Sequence, residues 1–228
     1  SSSSFTVGLL KALFKFKKKK VKAKELAKIA AKIEMKLEKN FIGKQDHYAA
    51  AFGGFNSFKF YDNGKVIRKN FSSNLNVKKL EKNILLFYTG VTRSAKKLLK
   101  NQVKNYKNNS EHLNQIKKDA SDFEKIINYK SINLKKIGNL LHSSWEQKKK
   151  LTKKISNLKF NRIYTFGLEN GAIGGKILGA GNGGFFLFLV PVSKKRKFIS
   201  LMNKKGLKNL EIKFEKKGSK ILYSKELK

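Results

Sequence analysis

Between Gly171 and Gly184 the chain reads Gly-Ala-Ile-Gly-Gly-Lys-Ile-Leu-Gly-Ala-Gly-Asn-Gly-Gly, and Phe185-Phe-Leu-Phe-Leu-Val190 follows without a break. Glycine loses more backbone entropy on folding than any other residue, so such density demands a local reason. Either the backbone turns through positive φ, or it must come close to something bulky, such as a phosphate chain. The apolar run behind it has strand character and would hold the loop on a rigid sheet, which is how a phosphate cradle is built. A glycine-rich turn without a ligand is the alternative, although tight turns need one or two glycines rather than this many.

Two familiar glycine motifs do not fit. The pattern G-x-x-x-x-G-K-[ST] fails because Ile177 follows Gly175-Lys176 and Asn170 stands where the first glycine belongs. Gly179, Gly181 and Gly184 satisfy G-x-G-x-x-G. That fingerprint, however, follows a strand and opens a helix, whereas this one precedes a strand.

With 228 residues, 40% of them hydrophobic, the chain can bury one large core or two small ones. It has no Cys, which excludes disulfides and thiolate metal sites and fits a cytoplasmic location. Its longest apolar run, Phe185 to Val192, is too short to cross a bilayer, and no signal-peptide pattern opens it, so no membrane partner is expected. The opening Ser1-Ser-Ser-Ser4, without Met, reads as a fragment that lacks its upstream part.

The net charge of +38 invites a nucleic-acid reading, but the excess is almost all Lys; Arg stands only at Arg68, Arg93, Arg162 and Arg196. Arg is the side chain that reads bases bidentately. The Lys residues are spread over every segment with abundant Asn, Ile and Phe, the set an AT-rich coding sequence overproduces. Compositional bias accounts for the charge without a partner, a dedicated nucleic-acid surface being the alternative, and weak, non-specific polyanion binding is expected.

Apolar spacing predicts helices over Ser4–Phe16, Lys22–Lys39 and Asp46–Phe52, the last stopped by Gly53-Gly54. Strands are expected over Phe55–Tyr61 and Lys65–Phe71 around the Asp62-Asn63-Gly64 turn. The polar stretch Ser72–Lys79 reads as a domain boundary. Beyond it come a strand over Asn83–Thr89 and helices over Thr92–Tyr106, Ser110–Asn128, Ile132–Lys149 and Asn161–Glu169. The glycine run and its strand follow, then a helix over Lys194–Lys204 and strands over Leu207–Phe214 and Lys220–Ser224. This order is α+β in two layers.

Several residues carry potential chemistry. Ser1 to Ser4 offer hydroxyls and backbone N–H groups at a helix N-terminus, suited to simple capping or to an anion with Mg²⁺ beside it. Glu34 sits beside the apolar stripe of its helix, adjacent to Ala30 and Leu37, and reads as an ordinary surface Glu or a partly covered metal ligand. Asp46 opens a helix after Gly43-Lys44-Gln45, so it is a structural N-cap or a base that accepts a hydroxyl proton. Arg93 falls in the first turn of a helix, where the dipole opposes a cation unless an anion intervenes; solvation is the alternative. His47, His112 and His142 form no metal spacing and are assigned to surface or helix positions, and Trp145 to the core.

These pieces, in this order, resemble the GHMP kinases. Their second motif is a P-x-G-x-G-L-G-S-S-[SA] loop, and Ser1-Ser-Ser-Ser-Phe-Thr-Val-Gly-Leu-Leu10 is similar to its tail with the Gly-Leu-Gly head cut off. Their third is a glycine-rich loop before a buried strand, matched by Gly174–Gly184 with Asn182 in place of a glycine. The segments Ile42–Gly54, Leu86–Ala95 and Trp145–Lys149 resemble the branch of the family that phosphorylates D-glycero-D-manno-heptose 7-phosphate.

The resemblance implies the remainder of a ribosomal-protein-S5-like N-terminal domain over residues 1–76, missing its first strands, and a ferredoxin-like C-terminal domain over 77–228. It implies ATP and Mg²⁺ as cofactors and a sugar phosphate as substrate, phosphorylated at its anomeric hydroxyl to the 1,7-bisphosphate. Galacto- or fuco-type sugar 1-kinases are the alternative within the family; an inactive kinase fold binding polyanions is the alternative outside it. By resemblance Ser1, Ser2 and Ser3 belong to the phosphate loop, and Ser2 and Glu34 to the metal positions. Asp46 matches the catalytic position, and Gly179, Ala180, Gly181 and Gly183 the third motif. Gly43, Lys44, Gln45 and Arg93 are substrate candidates. Lacking the family's opening arginine-containing segment, the polypeptide is expected to be inactive on its own.

Overall fold

The structure, a computed structural model, describes residues 2–37, 42–92, 99 and 106–223. The chain divides into two compact units, one built from Ser1–Ser72 with Phe214–Lys228 and the other from Ser73–Lys213.

Unit one packs α1 (Ser2–Phe16), α2 (Ala23–Lys32) and α3 (Gln45–Phe52) around Val7, Leu26, Ala27, Ala30, Tyr48 and Ala51. The expected helix over Lys22–Lys39 is shorter than its apolar spacing suggested: α2 gives way to a π-helical turn, Ile33–Leu37, and residues 38–41 lie outside the described residues. Alanines at positions 27, 30 and 31 are buried on one face of α2, and small side chains there let α1 and α3 approach closely. Glu34 continues that face, three residues beyond Ala31 and four beyond Ala30.

The Gly53-Gly54 stop is present: Gly53 has φ 60° and its N–H donates to Ala49 O. Strands β1 (Asn56–Phe60) and β2 (Val66–Asn70) pair antiparallel with Phe58 opposite Arg68. Gly64, at φ 79°, closes the turn between them. The segment after Phe214 folds back on this unit, where Gly54 N donates to Glu215 O and Ser219 N to Ala50 O. The strand expected over Lys220–Ser224 is absent from its described residues, 220–223.

Unit two opens with α4 (Leu75–Asn83), inside the polar stretch expected to be a boundary. Asn74 caps it by accepting from Asn76 N, and its buried apolar residues are Val77 and Leu80, beside the buried Asn76 and Asn83. So few apolar residues leave the helical period faint in the sequence. An antiparallel sheet follows in the order β4-β5-β3-β6, from β3 (Ile84–Tyr88), β4 (Gly174–Ile177), β5 (Phe185–Leu189) and β6 (Lys208–Leu210). Strand β6 is shorter than the expected Leu207–Phe214.

Further helices of this unit among the described residues are α5 (Ser110–Ile127), α6 (Leu134–Lys150), α7 (Leu158–Glu169) and α8 (Lys195–Lys204), all close to their expected bounds; the helix expected over Thr92–Tyr106 falls almost entirely outside the described residues. Alternate residues of β5, Phe186 and Phe188, point into a core with Phe87, Trp145, Phe160 and Phe198, all fully buried or nearly so. Each such aromatic contributes about 1.5–3 kcal/mol by leaving water. Trp145 is thus a core residue, as its sequence context indicated.

Strand β4 was not anticipated, because paired glycines have low strand propensity. Its glycines have a packing cause. A Cβ on Gly174 would run into the backbone of Gly138 on α6, and a Cβ on Gly138 would lie 2.6 Å from Ile173 O. Backbone meets backbone at this crossing. Gly174→Ala is therefore expected to lower stability by about 1–3 kcal/mol through overpacking, read as a reduced midpoint in urea unfolding; an unchanged midpoint would contradict the close crossing.

Candidate functional site

The first turn of α1 carries Ser2 and Ser3, and the second opens with Thr6. Positions two and six lie one helical turn apart on the same face. That face meets Glu34. Ser2 Oγ donates to Glu34 Oε2 at 3.2 Å, Ser3 Oγ to the same oxygen at 3.3 Å, and Thr6 Oγ1 to Oε1 at 2.6 Å. Glu34 is only 1% exposed. A buried carboxylate is costly unless its oxygens are satisfied, and here hydroxyls supply the donors, aided by the positive end of the α1 dipole. The alternative of an ordinary surface glutamate is therefore overturned.

On its other side Glu34 meets α3. His47 is fully buried, and its Nε2 lies 3.3 Å from Glu34 Oε2, at ion-pair distance but not aligned as a hydrogen bond. Of the surface or helix positions expected for it, His47 takes the helical one, but buried rather than exposed. The signal was present in the helical period, which puts His47 on the same face as Ala51, a core residue.

Asp46 precedes His47 and is exposed in the first turn of α3. It does not cap the helix. The capping position is Lys44, whose side chain makes no capping bond, so Asp46 stands two residues inside. There its carboxylate stands at the positive end of the helix dipole. Gly43, Lys44 and Gln45 are exposed at the same helix end. Ser1 and Arg93, both expected at the site, lie outside the described residues. Thr6 was missed, although it follows Ser2 by one turn.

Unit two carries the glycine loop, residues 178–184, between β4 and β5. Gly179, Gly181, Gly183 and Gly184 all have positive φ, and so does Asn182 at 53°. Asn tolerates that conformation, so its replacement of a glycine is accommodated. A Cβ on Gly181 would lie 2.7 Å from Ile155 O, and one on Gly183 would lie 2.8 Å from Val91 O. Asn182 N donates to Ile155 O, and Gly184 N to Val91 O. Much of the glycine requirement is therefore set by the protein's own backbone. Ala180 is buried, while Gly179 is exposed and its carbonyl accepts from Lys148 Nζ.

Residues 1–54 match the family described as GHMP kinases N terminal domain. The fold is that of the GHMP kinases. The chain is 33% identical, over 96% of its length and 65% of the relative's, to D-glycero-alpha-D-manno-heptose 7-phosphate kinase of Campylobacter jejuni. It superposes on a D-glycero-D-manno-heptose 1-phosphate kinase of Bacteroides thetaiotaomicron with a TM-score of 0.74 and 26% identity, covering 98% of this chain and 63% of that one. Against mevalonate kinase of Methanococcus jannaschii the TM-score is 0.68 at 25% identity, covering 92% and 62%. The chain thus spans less than two thirds of the length of these GHMP kinase relatives. No helix among the described residues is long and apolar enough to cross a membrane.

The hydroxyl cage around Glu34 makes a ranked expectation. Thr6→Val removes a short bond to a buried charge and should cost about 1.5–3 kcal/mol of unfolding free energy. Ser2→Ala, at an exposed residue with a longer bond, should cost clearly less. Urea titrations of both variants check the order, and equal losses would contradict it.

Proposed function

We propose that the protein is an ATP-dependent sugar-phosphate kinase that phosphorylates the anomeric hydroxyl of D-glycero-D-manno-heptose 7-phosphate. The observation that carries this reading is the buried Glu34, caged by Ser2, Ser3 and Thr6 at one helix N-terminus and tied through His47 to the helix that bears Asp46. The likeness to a heptose 7-phosphate kinase supports it.

The residues fit Mg²⁺. Glu34 and Ser2 present hard oxygen donors 3.2 Å apart. That is close to the spacing of roughly 3 Å between adjacent ligands of an octahedral ion bound at about 2.0–2.1 Å. Bound by Ser2 and Glu34, the ion would neutralise charge on the phosphates of ATP. The N-terminus of α1, through its dipole, favours the same polyanion; Ser2 and Ser3 lie in its first turn, and Ser1 is proposed to join them at the phosphates.

Asp46 takes the proton of the acceptor hydroxyl as the sugar oxygen bonds to the γ-phosphorus and the bond to ADP breaks. Its exposed place at a helix N-terminus leaves it open to a substrate. Gly43, Lys44, Gln45 and Arg93 are proposed to bind the sugar phosphate. The backbone of Gly179, Ala180, Gly181 and Gly183 is proposed to brace the nucleotide and substrate.

The net charge of +38 favours a second reading, an inactive kinase fold that binds polyanions. Assays of the complete gene product separate the two. The kinase reading expects ATP turnover with heptose 7-phosphate ahead of galactose and fucose in a substrate panel. It also expects Asp46→Asn to lower kcat by about 10²–10⁴, with nucleotide affinity within about twofold of the parent protein. Undiminished turnover in that variant removes Asp46 as the base. Tight, salt-sensitive DNA binding without any ATP turnover would replace the kinase reading by the second one.

A further inference from the structure

His47 takes no part in the proton or phosphate transfer just described, yet it lies against Glu34 in the interior of unit one. It is fully buried, and neither Nδ1 nor Nε2 makes a hydrogen bond among the described residues. A buried imidazole without partners is unfavourable, and an aliphatic side chain would fill the space at less cost. What the imidazole gains is its place against Glu34, with Nε2 3.3 Å from Oε2. Ser2 and Ser3 donate to that same oxygen from the opposite element, so Oε2 is held between α1 and α3. His47 is also the residue after Asp46, in the first turn of the same helix.

We infer that His47 is a positioning residue: it fixes the Glu34 carboxylate from the side that the hydroxyls leave uncovered, and through the first turn of α3 sets the distance between that carboxylate and Asp46. The inference rests on the kinase reading of Glu34 and deepens it. His47 acts through Glu34 and is not itself a ligand. Mg²⁺ prefers oxygen donors, and among the described residues no group of three or more His, Cys, Asp or Glu gathers as a softer metal would require. Carboxylates that bind metals are held in orientation by neighbouring groups, and loss of such a neighbour weakens metal binding by about 10–100-fold.

The test measures Mn²⁺ binding to the complete gene product with a non-hydrolysable ATP analogue, by electron paramagnetic resonance titration, so that it does not depend on turnover. His47→Leu keeps the volume and removes the ring nitrogens; His47→Gln keeps a donor. His47→Leu is expected to weaken Mn²⁺ binding about 10-fold or more, and His47→Gln to restore it to within about threefold of the parent. In a Glu34→Gln background, His47→Leu should have no further effect, because the two act as one unit. If His47→Leu does not fold, His47→Asn, whose shorter amide does not reach Oε2, takes its place under the same criteria.

Mn²⁺ affinity within about twofold of the parent in the Leu or Asn variant overturns the inference. So do equal losses in the Leu and Gln variants, or an undiminished effect without Glu34. Mn²⁺ binding that follows the expected pattern in a protein without ATP turnover keeps His47 in this role while the kinase reading fails. Absence of Mn²⁺ binding in the parent protein overturns both.

Discussion

The carboxylate of Glu34, withdrawn from water where α1, α2 and α3 converge, is the contact on which unit one depends. A charge in that position is unfavourable by itself, so each helix must contribute something to keep it. Helix α1 supplies hydroxyls and the positive end of its dipole, the π-helical turn that continues the alanine-rich face of α2 supplies the carboxylate, and α3 supplies an imidazole. A shift in any one of them would leave polar atoms unmatched. The same demand that makes the cluster costly makes its geometry specific, which is what a phosphate-transfer site requires of its ligands.

The glycine loop of unit two shows a different economy. Its density suggested a backbone pressed against a ligand, and the structure supplies a nearer cause for much of it. Gly181 approaches Ile155, Gly183 approaches Val91, and Gly174 meets Gly138 across a helix–strand crossing. Positive φ at Gly179 and Gly184 completes the turn into β5. A loop so pinned by its own scaffold has a fixed shape, and a fixed shape is compatible with the bracing role proposed for it.

Much of this was legible in the residues. The hairpin around Asp62-Asn63-Gly64, the helix stop at Gly53, the core role of Trp145 and the buried strand after the glycines each follow from local chemistry. Helix α4 was not legible, because two apolar anchors in a polar stretch do not make a visible period. Strand β4 was not, because its glycines answer to a helix distant in sequence. Asp46 was placed at the right helix end, and of its two readings the structural cap falls, since Lys44 takes that position.

Periodicity, turn chemistry and glycine spacing are short-range properties, so the sequence by itself determined most of the helices and strands, the loop and the serine-led helix start, though neither α4 nor β4. Which side chains meet was decided by tertiary structure alone. Ser2 and Glu34 are separated by 32 residues, and nothing local to either says that the carboxylate would be enclosed by hydroxyls. The burial of His47 belongs to the same class. A histidine on a short helix becomes a partner of Glu34 only when alanines on α2 let α3 come close enough to exclude water.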